Sequence, residues 1–392
     1  MSNTFTIPAR ELVSSGGLLR RLRCYGLSLS EVARQHGMKF DGKDGQVTRF
    51  APLSGLASRD ERVALTYLAS PRFADLLPSG SDVAVVTRAE LRGCLKVGNA
   101  ALIVDGDPHD WFYTVLTSAV ENGNFERLQS FVSPSAKIHR TAVIDDNTHI
   151  EADVVIGAGT AILPNTYIGP EVRMKANATI GDDGFGNATI HGHHTLVPHA
   201  GGVWLSEGVR VGSTTVDRGL YGDFSFTGPY TTIDNHVHFG HSVRVGKDCA
   251  LTACSEISGS TVLGDGIWLG PNASINQILT IGDHCYIGPG SVVTRDLPPY
   301  SLAYGSPAKV AAQVCSCRNK LRFEAGLATC EAADGVGWQG RGTADMLDEL
   351  MSEILSAGHT FNSMHNVVDE IVRSVEQAAD LLPRGSLPRA GE

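Results

Sequence analysis

The amino-acid sequence predicts a mainly β protein, in which a parallel β-helix lies between a small N-terminal α/β domain and C-terminal helices. Three observations predict this class. Apolar residues recur every six positions through the middle of the chain, glycine makes up about 11% of it (44 of 392 residues), and both ends lack the six-residue period. A unit of six residues cannot bury its own apolar side chains, so successive units must stack into a solenoid. We expect the three parts to span residues 1–118, 119–310 and 311–392.

The first 118 residues alternate helical and strand patterns without the six-residue period. Segment 27–36 has the apolar spacing of a helix, and the runs 83–86 and 101–104 are typical of buried strands. The sequence therefore predicts a separate small α/β domain.

In the middle of the chain, a bulky apolar residue occupies every sixth position in two arrays, from Val132 to Ile180 and from Ile233 to Val293. Nine positions in the first array and eleven in the second follow the rule without a miss. Glycine often comes next, where a sharp corner favours a residue without a Cβ atom. This pattern does not fit the period of an α-helix and is typical of the hexapeptide repeat, in which three successive hexads form one triangular coil.

Two interruptions separate the arrays. Residues 185–202 break the period and must leave the solenoid as a loop, and the period slips again around residues 217–219. Because loops on rigid scaffolds tend to carry function, this stretch is the candidate site. Beyond Pro307 the apolar spacing becomes helical, and residues 343–382 are predicted to form two amphipathic helices.

The composition excludes several classes of protein. The chain has 32 basic and 42 acidic residues, a formal charge of −10, and no long basic run, which disfavours binding to nucleic acids or anionic membranes. No apolar run approaches the ~18–20 residues that span a bilayer, and the N-terminus lacks a secretory layout, so we expect a cytoplasmic protein. Eight scattered cysteines are too few for a disulfide framework, and we expect reduced thiols.

The segment 233–244 carries three histidines within six positions, and His241 is the candidate general base. It lies near a corner, where a neutral imidazole can accept a proton at pH 7, although a surface histidine is the structural alternative. Gly259 follows one coil of three hexads later and would expose a backbone N–H beside the ring as an oxyanion donor. Asp234 either hydrogen-bonds the ring and fixes its tautomer or caps a corner.

These residues resemble those of the UDP-3-O-acylglucosamine N-acyltransferase family. The resemblance covers roughly residues 25–300 and rests on the order of the domains and on four segments: 180–186 (Ile-Gly-Asp-Asp-Gly-Phe-Gly), 197–202 (Val-Pro-His-Ala-Gly-Gly), 215–219 (Thr-Val-Asp-Arg-Gly) and 233–241, which holds Asp234 and His241. It implies a left-handed β-helix and a homotrimer with sites between subunits. It also implies a first domain that holds the uracil of a UDP-sugar, and amide formation with a hydroxyacyl chain carried by acyl carrier protein, as in lipid A biosynthesis.

The same resemblance gives His241 the role of general base and Gly259 that of oxyanion donor. The family's uracil motif Phe-x-x-Asn-Pro-x-Tyr reads Tyr67-Leu-Ala-Ser70-Pro-Arg-Phe73 here, which keeps the rings but loses the amide. A second family histidine falls on Ile278, so its contribution is absent or comes from a neighbouring residue. The predicted substrate-binding residues are Tyr67, Ser70, Phe73, Asp183, Phe185, His199, Asp217, Arg218, Asn276 and Gln277.

The end of the solenoid resembles a different group, the CoA-dependent hexapeptide acetyltransferases. Their lysine at the position of Lys309, in Gly305-Ser-Pro-Ala-Lys309, meets the CoA phosphates, although a turn that caps the last coil is the structural alternative. The predicted co-substrate is thus an acyl carrier protein thioester or, alternatively, an acyl-CoA, with Gly305 and Lys309 as donor-binding candidates. Basic residues beyond the last coil, Arg318, Lys320 and Arg322, could contact an acidic carrier protein.

Two further function classes stay open at this point. A metal site like that of the γ-class carbonic anhydrases would use the histidine-rich insertion, but that class lacks an N-terminal domain and its paired histidine spacing is missing, so we predict no metal. A non-catalytic scaffold is the other alternative, because fold alone does not establish activity and Ser70 and Ile278 depart from the family.

Overall fold

The computed structural model of the protein describes residues 5–13, 19–53, 56, 63–80 and 82–314, together with the backbone of strands Leu321–Glu324 and Leu327–Cys330. The helices predicted within residues 343–382 lie outside the described residues, as do Arg318, Lys320 and the side chain of Arg322.

In the described part of the N-terminal domain, a five-stranded sheet packs with two α-helices, Leu29–Gln35 and Pro108–Glu121. All neighbouring strands are parallel except at the Lys39–Asp41 edge. The predicted helix and both predicted strands are confirmed. Each helix begins at a side-chain cap, since Ser28 accepts from the Glu31 N–H and Asp107 from the His109 N–H. The strands, in spatial order, are Lys39–Asp41, Ala100–Ile103, Val83–Thr87, Val63–Leu68 and Val47–Phe50.

Short segments complete this part of the chain. Strand Thr6–Ile7 pairs in parallel with Arg127–Leu128 and ties the N-terminal segment to the start of the solenoid. Among the described residues, 3₁₀ helices span Ala9–Leu12, Pro71–Leu76 and Ala89–Cys94.

The solenoid has three walls of parallel strands, and the chain passes from wall 2 to wall 3 to wall 1 in every coil. Wall 1 contains Val143–Ile144, Ala161–Ile162, Thr179–Asp182, Thr215–Asp217, His238–Phe239, Glu256–Ile257, Ser274–Ile275 and Val292–Val293. Wall 2 contains Phe131–Val132, His149–Ile150, Thr166–Ile168, Gly202–Leu205, Phe224–Thr227, Arg244–Val245, Val262–Leu263 and Thr280–Ile281. Wall 3 contains Lys137–Ile138, Val155–Ile156, Arg173–Met174, Arg210–Val211, Thr232–Ile233, Ala250–Leu251, Trp268–Leu269, Tyr286–Ile287, Ser301–Gly305 and Ala308–Gln313.

The six-residue ladder forms the core of the solenoid, as predicted. From Ile150 onward every ladder position of both arrays is buried in one apolar cluster. Val132 at the open end of the ladder is 46% exposed, because no coil lies beyond it. Each fully buried ladder side chain contributes about 1.5–3 kcal/mol to stability. The predicted parallel β-helix is therefore confirmed.

Both interruptions leave the solenoid at the same edge, between wall 1 and wall 2. Residues 183–201 connect Thr179–Asp182 to Gly202–Leu205 and include an antiparallel hairpin, Asn187–Ile190 with His193–Leu196. Residues 218–223 connect Thr215–Asp217 to Phe224–Thr227. We call this the His241 edge, because His241 lies on it in the next coil, between His238–Phe239 and Arg244–Val245.

The N-terminal domain contacts the solenoid at this edge. The Leu22 N–H donates to the Gly222 carbonyl at 2.7 Å, and the hydroxyls of Tyr113 and Tyr221 are 2.7 Å apart. The His191 N–H donates to the Asp110 carboxylate at 2.9 Å. Both interruptions therefore lie against the helix Pro108–Glu121 or the residues around it.

The last coil ends in an antiparallel pair, Ser301–Gly305 with Ala308–Gln313, joined through a cis Ser306–Pro307 peptide. A second hairpin follows, Leu321–Glu324 with Leu327–Cys330. The described stretches at the start of the predicted helical extension are thus strands, because the helical apolar spacing begins only further along the chain. In the part of the chain that the structure describes, no helix is long and apolar enough to cross a membrane.

Candidate active site

His241 and Gly259 lie in direct contact on the His241 edge, as a coil of three hexads predicts. A Cβ atom built on Gly259 would come within 2.4 Å of His241 Nε2, so only glycine leaves room for the ring in this position. Among the described residues, no hydrogen bond uses the Gly259 N–H. The His241 ring therefore packs against a glycine whose backbone N–H is not used by any other described residue.

The environment of His241 keeps its ring neutral. The pKa of His241 falls to about 4, chiefly through burial and then through the neighbouring His199 and His238, against the opposing effect of Asp223. The ring's Nδ1 atom is buried and has no hydrogen-bond partner among the described residues. At pH 7 the ring is thus unprotonated at one nitrogen and can accept a proton.

His199 reaches His241 from the insertion. The two rings lie 5.3 Å apart, centroid to centroid, with an edge-to-face angle of 76°. His199 is buried, its Nδ1 lies 2.9 Å from the Val197 carbonyl oxygen, and its Nε2 has no partner among the described residues. The sequence predicts His199 as a substrate-binding residue, and the structure places it against the candidate base.

The glycines of Asp183-Gly184-Phe185-Gly186 let the insertion backbone lie against the site. A Cβ atom on Gly184 would come within 2.6 Å of an Asp217 carboxylate oxygen, and one on Gly186 within 2.7 Å of His199 Cε1. Phe185 between them is 74% exposed, so its side chain points away from these contacts. The motif is glycine-rich because its backbone packs on functional side chains.

Asp217, Arg218 and Asp183 form the polar part of the site, next to the coil of His241. Burial raises the pKa of Asp217 to about 6, His238 opposes this rise, and Asp182 and Asp183 add to it. An Asp217 carboxylate oxygen lies 3.8 Å from His238 Nε2. Arg218 Nε donates to the Gly181 carbonyl at 2.6 Å and lies 3.4 Å from Asp183 Oδ1. The structure therefore brings these three predicted residues together.

Asp234 lies on a different edge, between wall 3 and wall 1, which we call the Asp234 edge. Its carboxylate accepts from the Asn235 side chain at 3.0 Å, and none of the described hydrogen bonds joins it to His241. The predicted hydrogen bond from Asp234 to the His241 ring is therefore absent within the chain. The reason is geometric: seven positions along the chain are about one corner of the triangle, whereas stacking requires a full coil.

The residues of the predicted uracil motif lie in the N-terminal domain. Tyr67 packs edge-on against His109 at 5.4 Å, and burial raises its pKa to about 12. Ser70 precedes the 3₁₀ helix Pro71–Leu76, and Phe73 is 39% exposed beneath the guanidinium of Arg72. Of the two rings, Tyr67 faces the helix Pro108–Glu121 and Phe73 faces outward, so no ring contact between described residues joins them.

Asn276, Gln277 and Ile278 lie exposed on the His241 edge, one coil beyond Gly259. Gln277 occupies the position that stacks on Gly259 in the next coil. Ile278 is 71% exposed and has a φ of 61°, a left-handed conformation that a β-branched residue rarely adopts.

The donor-binding candidates lie elsewhere in the chain. Gly305 and Lys309 belong to the two strands of the hairpin that ends the solenoid, where Lys309 pairs with Tyr304, and both strands belong to wall 3. His241 lies at the junction of walls 1 and 2, so the structure does not bring Lys309 to the His241 edge within one chain.

Sequence reasoning missed Asp223 and Ser242, which interact with each other next to His241. Desolvation opposes ionisation of Asp223, yet Arg21 and a hydrogen bond from Ser242 lower its pKa, so it is a carboxylate near His241. The Ser242 hydroxyl also accepts from the Leu220 N–H at 3.1 Å. The slip of the period at residues 217–219 was the available signal, because it marks where the chain departs from the wall. Among the described residues, no group of three histidine, cysteine or acidic side chains is placed to hold a metal ion.

Comparisons with known proteins identify the proteins to which this chain is similar. The family model "Bacterial transferase hexapeptide (six repeats)" matches residues 147–182 and 260–295, both within the solenoid, which confirms the hexapeptide repeat predicted from the sequence. A UDP-3-O-acylglucosamine N-acyltransferase of Methylorubrum populi is 32% identical over 322 residues, which cover 72% of this chain and 90% of the relative. One of Campylobacter lari is 31% identical over 325 residues, which cover 77% and 98%.

Other similarities cover a smaller part of this chain or of the relative. A UDP-3-O-acylglucosamine N-acyltransferase of Methylorubrum extorquens is 40% identical over 154 residues, and this alignment spans 43% of the relative's length. Among solved structures, a UDP-N-acetylglucosamine acyltransferase from Campylobacter jejuni is 25% identical with a TM-score of 0.37, over 47% of this chain and 75% of that one.

Proposed function

The chain belongs to the UDP-3-O-acylglucosamine N-acyltransferase family, and from this premise we propose that it transfers an acyl group from a thioester to the amine of a nucleotide-linked amino sugar. The observation that carries the proposal is the contact between the His241 ring and Gly259. It supplies a neutral base and an unused N–H donor at one point of a rigid edge, and aminolysis of a thioester needs both.

In the proposed reaction the amine nitrogen attacks the thioester carbonyl carbon, and a C–N bond forms. His241 Nε2 accepts the amine proton, while the Gly259 N–H donates to the oxygen that becomes negatively charged. The intermediate collapses with cleavage of the C–S bond, and the departing thiolate receives the proton from His241. The products are an amide and a free thiol, and no acyl-enzyme is formed.

The substrate side of the proposal rests on the polar cluster and the N-terminal domain. Asp183, Asp217 and Arg218 would contact the sugar and diphosphate, Asn276 and Gln277 would lie beyond the oxyanion position, and Tyr67, Ser70 and Phe73 would meet the base. Ser70 replaces the amide of the family's uracil motif, so we propose weaker base recognition through that motif. We further propose a homotrimer with sites between subunits, active in the cytoplasm and in the assembly of lipid A.

The test is a panel of amino sugars and thioesters, read by mass spectrometry with the full chain. UDP-3-O-acylglucosamine should gain the mass of one acyl group, and its N-acetylated analogue should gain none, because its amine is blocked. Acylation of the blocked analogue would mean transfer to a hydroxyl, and no product with any UDP or dTDP amino sugar would favour the scaffold alternative. Exhaustive chelation should leave the rate unchanged, since base and oxyanion donor suffice.

For the donor we propose acyl carrier protein, with acyl-CoA as the alternative that the Gly305–Lys309 hairpin favours. Reversing the charges of Arg318, Lys320 and Arg322 should raise the KM for the acylated carrier, because carrier binding depends on its acidic surface. The matched variant Lys309→Ala should leave that KM unchanged. Turnover of a short acyl-CoA that falls with Lys309→Ala and ignores the three reversals would assign the chain to CoA users.

A further inference from the structure

Two buried ring nitrogens on the His241 edge have no hydrogen-bond partner among the described residues, and they belong to adjacent rings. One is Nε2 of His199, and the other is Nδ1 of His241. Buried polar atoms in folded proteins nearly always have a hydrogen-bond partner, so two unpaired nitrogens on neighbouring rings require an explanation.

The hydrogen bonding of His199 settles which of its nitrogens carries the proton. A carbonyl oxygen only accepts, so the 2.9 Å contact with the Val197 carbonyl makes Nδ1 of His199 the donor. Burial lowers the pKa of His199, which is therefore neutral at pH 7 and has a bare lone pair at Nε2. This nitrogen can only accept a hydrogen bond.

The position of His199 is fixed by the insertion. The Val197 N–H donates to the Gly186 carbonyl at 2.8 Å. This bond fixes Val197, whose own carbonyl oxygen accepts from the His199 ring. The His199 N–H lies 3.4 Å from Asp183 Oδ2, and Gly186 leaves space for the ring edge. The insertion thus holds an acceptor nitrogen next to the buried side of His241.

We propose that His199 is a positioning residue that selects the Nδ1–H tautomer of His241. In that tautomer Nδ1–H of His241 donates to Nε2 of His199, directly or through one water, and both buried nitrogens are satisfied. In the other tautomer both buried nitrogens would carry bare lone pairs, and neither would have a donor. The inference deepens the proposed function, because it names what orients the base in place of Asp234.

The consequence for catalysis lies at the opposite nitrogen. With the proton on Nδ1, the lone pair of His241 is on Nε2, the atom that lies against Gly259. The base then faces the oxyanion donor, as amide formation requires. When Nε2 takes the amine proton, His199 still accepts from Nδ1–H and keeps the ring in place.

The direct test is the tautomer of His241 measured by ¹⁵N NMR of imidazole-labelled full-length protein near pH 7. The wild type should show His241 protonated at Nδ1. His199→Phe, which keeps a ring but removes the acceptor, should shift His241 towards the Nε2–H tautomer. His199→Gln retains an acceptor oxygen and should preserve Nδ1–H. His193→Phe, at an exposed histidine of the same insertion, is the matched control and should change nothing.

The tautomer readout needs no substrate, so it separates this inference from the proposed function. Nδ1–H that persists in His199→Phe, or Nε2–H in the wild type, overturns the pairing whether or not the chain acylates a sugar. If the chain is active, His199→Phe should lower kcat about 10- to 100-fold with KM unchanged, and His199→Gln should recover most of the loss. Equal losses in both variants, with folding verified by circular dichroism, would mean that His199 supports only structure.

Discussion

The His241 edge and the Asp234 edge belong to the same β-helix, follow the same six-residue rule and carry different chemistry. At the Asp234 edge the chain turns directly from wall 3 to wall 1, and its polar side chains bond locally, as Asp234 does with Asn235. His236 on this edge is exposed and turns through a φ of 59°. At the His241 edge the chain leaves the solenoid twice and returns with His199 to cover His241.

The difference shows what a solenoid needs to build a site. A regular repeat exposes the side chains at its corners to water, as it exposes His236. Burial of His241, which lowers its pKa, requires chain from outside the repeat, and the insertion provides it. The repeat contributes a fixed spacing between His241 and Gly259, and the interruptions contribute the environment.

The largest expected effect distinguishes a histidine on each edge. His241→Ala should lower kcat for amide formation by roughly 10²–10⁴-fold, because general-base catalysis contributes that much. His236→Ala, on the Asp234 edge of the same coil, should stay within about twofold. Steady-state kinetics of both variants, with thermal unfolding as a check on folding, makes the comparison. A loss below tenfold in His241→Ala would remove its assignment as the base.

Gly259→Ala tests the contact between ring and glycine. The added methyl would lie 2.4 Å from His241 Nε2 and must displace the ring, so kcat should fall about 10²-fold. In the His241→Ala background the same change should cost little more, because the ring that it displaces is gone. Additive losses in this double-mutant cycle would show that the two residues act independently.

The pH dependence tests burial at the His241 edge. His241 must be neutral to accept a proton, so its limb of kcat/KM should lie near pH 4, and activity should be lost below it. An inflection near pH 6 would belong to Asp217 and should vanish in Asp217→Asn. NMR titration of the His241 ring checks the assignment, and a midpoint near 6.5 would contradict its desolvation.

The lowered pKa of His241 also makes the stability of the folded protein depend on pH. Between about pH 6.5 and 4 the unfolded chain binds a proton that the folded chain does not, so the free energy of unfolding decreases as the pH falls through this range. Rates at low pH should therefore be measured immediately after dilution of the protein from a solution at neutral pH, before it unfolds.

The smallest expected effect concerns Asp234. The Asp234 carboxylate accepts a hydrogen bond from Asn235 on the Asp234 edge, away from the His241 of the same chain. Asp234→Asn should therefore change kcat by less than about threefold and leave the pH dependence of kcat unchanged. The measurement is kcat of Asp234→Asn, compared in the same assay with kcat of His199→Gln. A loss as large as that of His241→Ala would mean that Asp234 reaches the base of a neighbouring subunit.

The sequence predicts contacts where the repeat holds, whereas at the interruptions it predicts where the site lies but not how its residues are arranged. A coil of three hexads is enough to place Gly259 on His241, and the apolar ladder predicts the core. The position of His199 follows no period, because an insertion has its own path. For Asp234 the sequence leaves two roles open, and the structure shows local bonding with Asn235 at its own corner. A triangular coil sends a residue seven positions away to another corner, so the short separation from His241 does not make a contact within the chain. Ile278 departs from the family in sequence, but its left-handed backbone is visible only in the structure.

The decisive measurement is a structure of the protein with a nucleotide amino sugar and a non-reactive thioester analogue. The sugar amine should lie about 2.6–3.2 Å from His241 Nε2, and the acyl carbonyl oxygen about 2.7–3.1 Å from the Gly259 nitrogen. An amine bound at the Asp234 edge, or a carbonyl group that does not meet Gly259, would contradict this prediction.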